Sequence, residues 1–167
     1  MRFVTTIVLA TALSAAAAAQ APAPAPAPAA MKLFTSSADL AAMIEKAKKD
    51  RQPNQANFAQ PILQLAPYNA NLEYRVGGIN ATASVHEKEA EMFVVVEGAG
   101  TVVTGGKLRE ERRTNPDNLS GTGIDGGDRR RIAKGDFIMV PEGVPHWFGE
   151  IDGALVLMSI HLPRAPK

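Results

Sequence analysis

The chain contains no cysteine. Disulfide bonds are therefore excluded, and so are thiolate ligands to a metal ion. Any metal must be bound by nitrogen and oxygen donors, which suit divalent iron, manganese, nickel, cobalt or zinc. A lipid anchor attached through a cysteine at a signal-peptide cleavage site is excluded for the same reason.

The chain also lacks an excess of either charge. Its 167 residues include 18 lysines and arginines against 17 aspartates and glutamates, a formal net charge of +1. Removal of residues 1–20 would take away Arg2 and no acidic residue, so that 17 basic residues would face 17 acidic ones with a net charge of zero. A nucleic-acid partner calls for a basic surface, so we expect none.

The apolar run at the start of the chain is short for the roughly 20 residues that cross a bilayer. Met1 and Arg2 precede the segment FVTTIVLATALSAAAAA, and small residues surround Ala17 to Ala19. This order is typical of a secretory signal peptide. We therefore expect a signal peptide over residues 1–20, a periplasmic or secreted product, and no stable membrane anchor after cleavage.

An alternating alanine and proline tract follows, and it favours extended polyproline geometry without forming a core. We interpret residues 21–31 as a semi-rigid linker and residues 32–167 as one folded domain, which is long enough to bury a core.

A short helix is predicted at the start of this domain, packed on the outside of a sheet. A serine at 36 or 37 can cap it, and its apolar residues recur at helical spacing: Leu40, Met43, Ile44 and Ala47. Short apolar segments separated by glycines follow, and they predict strands over 62–65, 71–76, 80–86, 91–98, 100–106, 136–140, 146–151 and 154–162. Many short strands and few helices predict an all-β antiparallel sandwich or jelly roll.

The polar segment 107–134 is long for a connection. We interpret it as a solvated surface loop. The alternative is a lid over the barrel mouth, whose arginines would attract an anionic substrate: Arg112, Arg113 and Arg129 to Arg131.

Two segments carry an ordered pattern of residues at fixed spacings. The first, over 78–98, contains Gly78, Ser84, His86, Glu91 and Gly98. The second, over 135–150, contains Gly135, Pro141, Gly143, His146 and Glu150. Together they closely resemble the two motifs of the cupin family, and the resemblance covers roughly residues 72–162. Because glycine averages about 7% and proline about 5% of residues, this agreement is not expected by chance.

The resemblance implies a single-domain jelly-roll β-barrel in which His86, Glu91 and His146 bind one divalent metal ion. Such a donor set leaves positions for water, dioxygen or a chelating substrate. Ser84 departs from the family, which has a histidine ligand there, and Glu150 stands in place of an asparagine. Serine is a poor ligand, so either the site works with three protein donors or it has lost tight metal binding.

Side chains alternate across a strand, so Ser84 lies on the same face as His86, Phe93 on that of Glu91, and Phe148 on that of His146. If this face points into the barrel, a substrate pocket is expected, lined by Ser84, Tyr74, Phe93 and Phe148. The aromatic residues have a second interpretation as ordinary core. On the opposite face, Val85 and Trp147 would pack between sheets or against a second copy, since the family commonly forms homodimers.

Glu150 is the candidate catalytic residue. In an apolar cavity its pKa would be raised, and it could exchange protons with a substrate near neutral pH. At a strand end in solvent it would have no such role. His161 belongs to neither motif, so a structural or surface role is expected for it rather than metal ligation.

These residues predict an exported mononuclear metalloenzyme acting on a small organic molecule, as a dioxygenase or as a redox-neutral isomerase or lyase. One alternative is a noncatalytic module that binds a small ligand or a metal. Another is a metal-free sugar-processing cupin that uses His86 and Glu150 as base and acid. The fold alone does not decide among them.

Cleavage of the signal peptide is testable directly. Mass spectrometry of protein secreted by a suitable host should find the N-terminus at or near Gln20 or Ala21. An intact Met1 recovered in the membrane fraction would contradict the prediction.

Overall fold

A computed structural model describes residues 31–79 and 81–164, and this part of the chain has one helix and twelve strands. The helix is α1 (Ser37–Asp50). The strands are β1 (Asn57–Leu65), β2 (Tyr68–Val76), β3 (Ala83–His86), β4 (Glu89–Thr104), β5 (Lys107–Arg109), β6 (Arg112–Asn115), β7 (Asn118–Gly121), β8 (Gly123–Asp125), β9 (Asp128–Ala133), β10 (Phe137–Val140), β11 (His146–Gly149) and β12 (Ala154–Pro163).

The predicted signal peptide and all but the last residue of the predicted linker lie outside the described residues. Within 31–79 and 81–164, no helix combines the length and the apolar character needed to cross a membrane.

Helix α1 begins at its predicted cap and packs on the outside of the sheet, as predicted. The Ser36 hydroxyl accepts a hydrogen bond from the Asp39 backbone N–H at 3.1 Å, and the Asp39 carboxylate accepts one from the Ser36 backbone N–H at 3.1 Å. This reciprocal pair satisfies two of the otherwise free N–H groups at the helix start. On its apolar side, Ile44 packs with Leu72 and Val156 of the sheet.

The strands form a ten-stranded antiparallel sheet and a separate β5–β8 pair. The large sheet curls because β4 belongs to both of its halves. Up to Gly98, β4 pairs with β10 and β12, and β2 and β1 extend this first half. From Ala99 onwards, β4 pairs with β9 and β11, and β3, β7 and β6 extend the second half. This curled sheet confirms the predicted all-β jelly roll.

The space between the two halves is filled by a largely aliphatic core: Phe93, Val95, Val102, Ile132, Val140, Phe148, Leu155 and Leu157. Strand β12 separates this core from the helix. Its residues Leu155 and Leu157 point into the barrel, whereas Val156 points outward and contacts the helix cluster. Because side chains alternate along a strand, β12 contributes residues both to the barrel core and to the cluster under the helix.

The structure corrects the predicted loop over 107–134, which contains the five strands β5 to β9. These strands were missed because few of their side chains are buried: all four residues of β6 are exposed, and in β9 only Ile132 is buried. The lid prediction is also wrong, because the arginines lie in surface strands and four of the five are paired with acids. Arg113 contacts Glu87 at 2.7 Å, and Arg131 pairs with Asp152.

Val85 and Trp147 do not form an exposed apolar row. Val85 is buried, and half-buried Trp147 donates its Nε1–H to the carbonyl oxygen of Ala81 at 3.0 Å. Both side chains are thus packed within the subunit. The homodimer stays a prediction without this surface to support it.

The bend of β4 requires glycine at position 98. Gly98 has a φ of +80°, in the region that L-residues avoid. A Cβ atom built there would lie 2.0 Å from the carbonyl oxygen of Ala154 in β12. Backbone atoms of a neighbouring strand cannot move aside as a flexible side chain can, so the close pairing of β4 with β12 excludes any side chain.

We therefore expect Gly98→Ala to lower the free energy of unfolding by roughly 2–5 kcal/mol, the sum of the dihedral and overpacking costs. Gly135→Ala is the matched control, because Gly135 also has a positive φ, of 93°, but no atom lies within 4 Å of the position that its new methyl group would take. Its loss should be about 1–2 kcal/mol. Equal urea-denaturation midpoints for the two variants would contradict the steric explanation.

Candidate metal site

Four side chains from four strands meet at one end of the barrel. His86 comes from β3, Glu91 from β4, His146 from β11 and His161 from β12. The sheet registers bring them together, because His161 lies opposite Glu91 and His146 lies opposite Ser84, two residues before His86. The site thus joins both halves of the curled sheet.

The Glu91 carboxylate lies at the centre of this cluster. Its Oε2 atom is 3.2 Å from His86 Nε2 and 3.3 Å from His146 Nε2, and its Oε1 atom is 3.3 Å from His161 Nε2. Glu91 and His146 are almost fully buried, with 3% and 4% of their surface exposed. Water therefore contributes little to solvating the carboxylate, and the imidazoles take its place.

The second ring nitrogens of two of these histidines have their own partners. His86 Nδ1 lies 2.9 Å from the Asn118 side-chain oxygen, and His161 Nδ1 lies 2.8 Å from Glu89 Oε1. Both partners are acceptors, so each Nδ1 carries the hydrogen. By contrast, His146 Nδ1 is buried without a hydrogen-bond partner among the described residues.

The charges of the cluster shift its pKa values in opposite directions. Burial disfavours the charged forms, but hydrogen bonds from His146 and His86 outweigh it and hold the pKa of Glu91 well below its usual range. For His86, burial is outweighed by Glu91 and Asn118, so its pKa lies above the usual value. An ionised carboxylate therefore draws a cation, whether a proton or a metal ion, toward the imidazoles.

The arrangement fits a divalent metal ion. Donor atoms of His86, Glu91 and His146 all lie within 4.8 Å of one another. Donors bound about 2.0–2.2 Å from a common ion lie roughly 3–3.5 Å apart, and the nitrogen–oxygen separations of 3.2 and 3.3 Å fall in this interval. These three residues could hold a metal with the nitrogen and oxygen donors expected from the sequence.

A cavity of about 490 Å³ opens onto the cluster. Apart from the cluster it is lined mainly by polar side chains: Asn54, Asn57, Glu73, Arg75, Thr82 and Ser84. Glu73, which is 8% exposed, accepts a hydrogen bond from Arg75 Nε at 2.8 Å, and the Arg75 guanidinium lies 4.8 Å from the ring centre of Phe148. This buried ion pair places fixed charges of both signs in the cavity wall.

Sequence reasoning missed Glu73, Arg75 and Glu89. The alternation of side chains along β2 could have indicated the first two. Leu72 and Tyr74 point outward and contact the helix cluster. Glu73 and Arg75 are at the alternate positions, so they point inward and line the cavity. Glu89 lies two residues before Glu91 in the same strand, so alternation could have placed it on the same face as Glu91.

Of the four predicted pocket residues, Ser84 lines the cavity and Tyr74 does not, because Tyr74 packs on the opposite side of the sheet against the helix cluster. Phe93 and Phe148 are 0% and 1% exposed and belong to the barrel core. Their rings lie 5.6 and 6.3 Å from the His146 ring and pack beneath it. Phe93 and Phe148 are therefore core residues, as the second interpretation predicted.

The prediction that Glu150 is a catalytic acid or base in the cavity is wrong. The backbone of Glu150 has a φ of +46°, which ends β11 and breaks the alternation that would have placed it beside His146. Its side chain is 58% exposed, accepts a hydrogen bond from the Thr101 hydroxyl at 2.7 Å and pairs with Arg129 at 2.5 Å. These contacts lower the pKa of Glu150 instead of raising it.

His161, for which a structural or surface role was expected because it belongs to neither motif, lines the same cavity and contacts Glu91. The signal was again alternation. Leu155, Leu157 and Ser159 are fully buried at every second position of β12, and His161 continues this inward series.

A pair of matched substitutions tests the two glutamates. Glu91→Gln should sharply reduce the metal bound by the purified chain, because it removes the charge of a central ligand. Glu150→Gln should leave bound metal unchanged, because that carboxylate lies in solvent outside the cavity. Elemental analysis by mass spectrometry measures both, and loss of metal in Glu150→Gln would contradict this placement of Glu150.

No protein-family model and no curated protein sequence matches the chain. Among solved structures, the protein BH2720 from Bacillus halodurans is similar, with a TM-score of 0.50 and 17% identity over 80% of this chain and 83% of that one. The cupin domain of Cnp3 from Schizosaccharomyces pombe has a TM-score of 0.48 and 13% identity over 66% of each chain. KdgF from Halomonas sp. has a TM-score of 0.48 and 17% identity over 70% of this chain and 86% of that one. At these identities the likeness concerns the fold alone, and it agrees with the curled antiparallel sheet, a β jelly roll, of the described residues.

Proposed function

We propose that this chain is an exported enzyme with one divalent metal ion, held by His86, Glu91 and His146, and that it acts on a small polar organic molecule. The metal-binding part of the proposal is carried by the contact between His86 and Glu91. The substrate class is supported by the polar lining of the cavity. Export is supported by the sequence at the start of the chain.

The contact between His86 and Glu91 needs a cation. The Asn118 side-chain oxygen accepts a hydrogen bond from Nδ1 of His86. When the ring is neutral, its Nε2 atom therefore presents a lone pair. This lone pair faces an ionised carboxylate oxygen at 3.2 Å. Two acceptors at this distance repel each other unless a metal ion or a second proton lies between them. Asn118 thereby acts as the outer partner that fixes the orientation and tautomer of a ligating histidine.

The cavity supplies what an enzyme needs beyond the ion. Its volume of about 490 Å³ lies in the range of small-molecule sites. A bound divalent ion would act as a Lewis acid on substrate oxygens. The chain itself would orient the substrate through the polar groups of the wall, among them the side-chain oxygen of Asn57, which is buried without a hydrogen-bond partner within the described part of the chain.

These features favour substrates with hydroxyl, carbonyl or carboxylate groups close together. Arg75 can donate hydrogen bonds to such oxygens, while its pairing with Glu73 keeps the guanidinium in place. Asn54, Thr82 and Ser84 add neutral polar groups. Either an oxygenase or a redox-neutral isomerase or lyase is compatible with this wall.

The metal-free acid and base alternative has lost its support, because Glu150 lies outside the cavity that contains His86. The noncatalytic binding module remains the second candidate. Ser84 favours it, because a site that lacks one family ligand could bind metal without turning over a substrate.

Metal analysis of the untagged, secreted chain tests the proposal. After removal of metal with a chelator and reloading with iron, manganese, nickel, cobalt or zinc, the parent should retain about one ion per chain. His86→Ala and His146→Ala should each lose most of it, since each removes one of three donors. Asn118→Ala keeps the donors but frees the His86 ring, so its affinity should fall about 10–100-fold.

Folding of the variants is checked by circular dichroism of the metal-free proteins. If the parent retains no ion after reloading, or if both histidine variants retain as much as the parent, the metalloenzyme proposal fails. Retention of metal without conversion of any member of a panel of hydroxy acids, diols and sugar acids would favour the binding module.

A further inference from the structure

His161 occupies an inward position on β12 that the proposed three-residue site does not use. Its Cα lies opposite that of Glu91 in the β12–β4 register, and its side chain is 16% exposed. Within β12 it follows the fully buried Ser159 on the same face. The strand geometry therefore holds the ring at the mouth of the barrel core, inside the cavity.

The contacts of His161 repeat those of His86. His161 Nδ1 donates its hydrogen to Glu89 Oε1 at 2.8 Å, just as His86 Nδ1 donates to Asn118. With its hydrogen on Nδ1, an uncharged His161 ring would present the Nε2 lone pair to Glu91 Oε1, which lies 3.3 Å away. Here too, two acceptors face each other across a gap suited to a cation.

The three imidazoles surround the carboxylate without overlapping. Oε2 of Glu91 faces His86 and His146, whereas Oε1 faces His161. The His86 and His161 rings are 5.3 Å apart and nearly perpendicular, and the His86 and His146 rings are 5.4 Å apart. Each ring thus approaches the carboxylate from its own strand.

With serine at position 84, the cavity has one imidazole fewer than the motif supplies. In the motif that this chain resembles, position 84 carries a histidine beside His86. Here Ser84 lines the same cavity, but its hydroxyl is a weak metal donor. One imidazole is therefore missing from β3. Another imidazole, that of His161, which belongs to neither motif, enters the same cavity from β12.

We infer that His161 is a fourth ligand of the same metal ion, supplying from β12 the imidazole that Ser84 lacks on β3, with Glu89 as the residue that positions its ring. The inference rests on the proposed function. The inference adds a fourth donor to the three of the proposed site, so the inference can fail while the proposed function stands.

The test measures metal affinity rather than activity. The secreted chain, freed of metal, is titrated with Zn²⁺ in competition with a coloured chelator, and with Co²⁺ to record the visible spectrum. His161→Ala should bind Zn²⁺ at least about 10-fold more weakly and change the Co²⁺ spectrum, because one nitrogen donor is lost. Ser159→Ala, two residues away on the same face, is the control and should match the parent.

Rescue separates ligation from a structural role. The double variant Ser84→His with His161→Ala returns an imidazole to the cavity from β3 and should recover most of the lost affinity, which a purely structural histidine would not explain. Glu89→Gln can still accept the Nδ1 hydrogen, so it should lose less affinity than Glu89→Ala.

Parent-like affinity in His161→Ala would overturn the inference and leave the three-residue site intact. A parent that binds neither ion would overturn the proposed function as well. Two ions per chain, of which His161→Ala loses only one, would assign His161 to a separate ion and also overturn the inference.

Discussion

The buried carboxylate of Glu91 has to be compensated from both halves of the barrel at once. A carboxylate that is 3% exposed is costly unless partners replace the lost water. His161 on β12 lies in the same half as Glu91, whereas His86 and His146 reach it from the other half. This arrangement exists only because β4 pairs with both halves, which the bend at Gly98 allows.

The cavity chemistry follows from that compensation. The imidazole edges and the Glu91 oxygens form one wall, and the Glu73–Arg75 pair contributes charge elsewhere in the lining. Below them, Phe93 and Phe148 close the barrel with apolar rings. A small polar molecule entering this space would therefore meet the proposed ion and fixed hydrogen-bonding groups together, while the core excludes water from beneath the site.

The sequence predicted the fold and three members of the cluster because both depend on local order. The spacings of the two motifs located His86, Glu91 and His146, and capping at Ser36 located the helix. It failed for Glu150, because a positive φ ended the strand two residues early. It also failed for the strands between 107 and 134, whose exposed faces carry no apolar alternation. Tyr74 failed because the choice of face depends on what covers each side of the sheet.

The sequence by itself determined which residues can donate to a metal, since the lack of cysteine leaves imidazoles and carboxylates, and it determined where the strands could bend. Only the tertiary structure decided which of these donors meet. His161 lies 70 residues after Glu91, yet pairing of β12 with β4 sets the two side by side. Alternation along β12 indicates that His161 points inward. Its contact with Glu91 depends on strand register, which is fixed by packing across the whole sheet, so no local spacing could have revealed that contact.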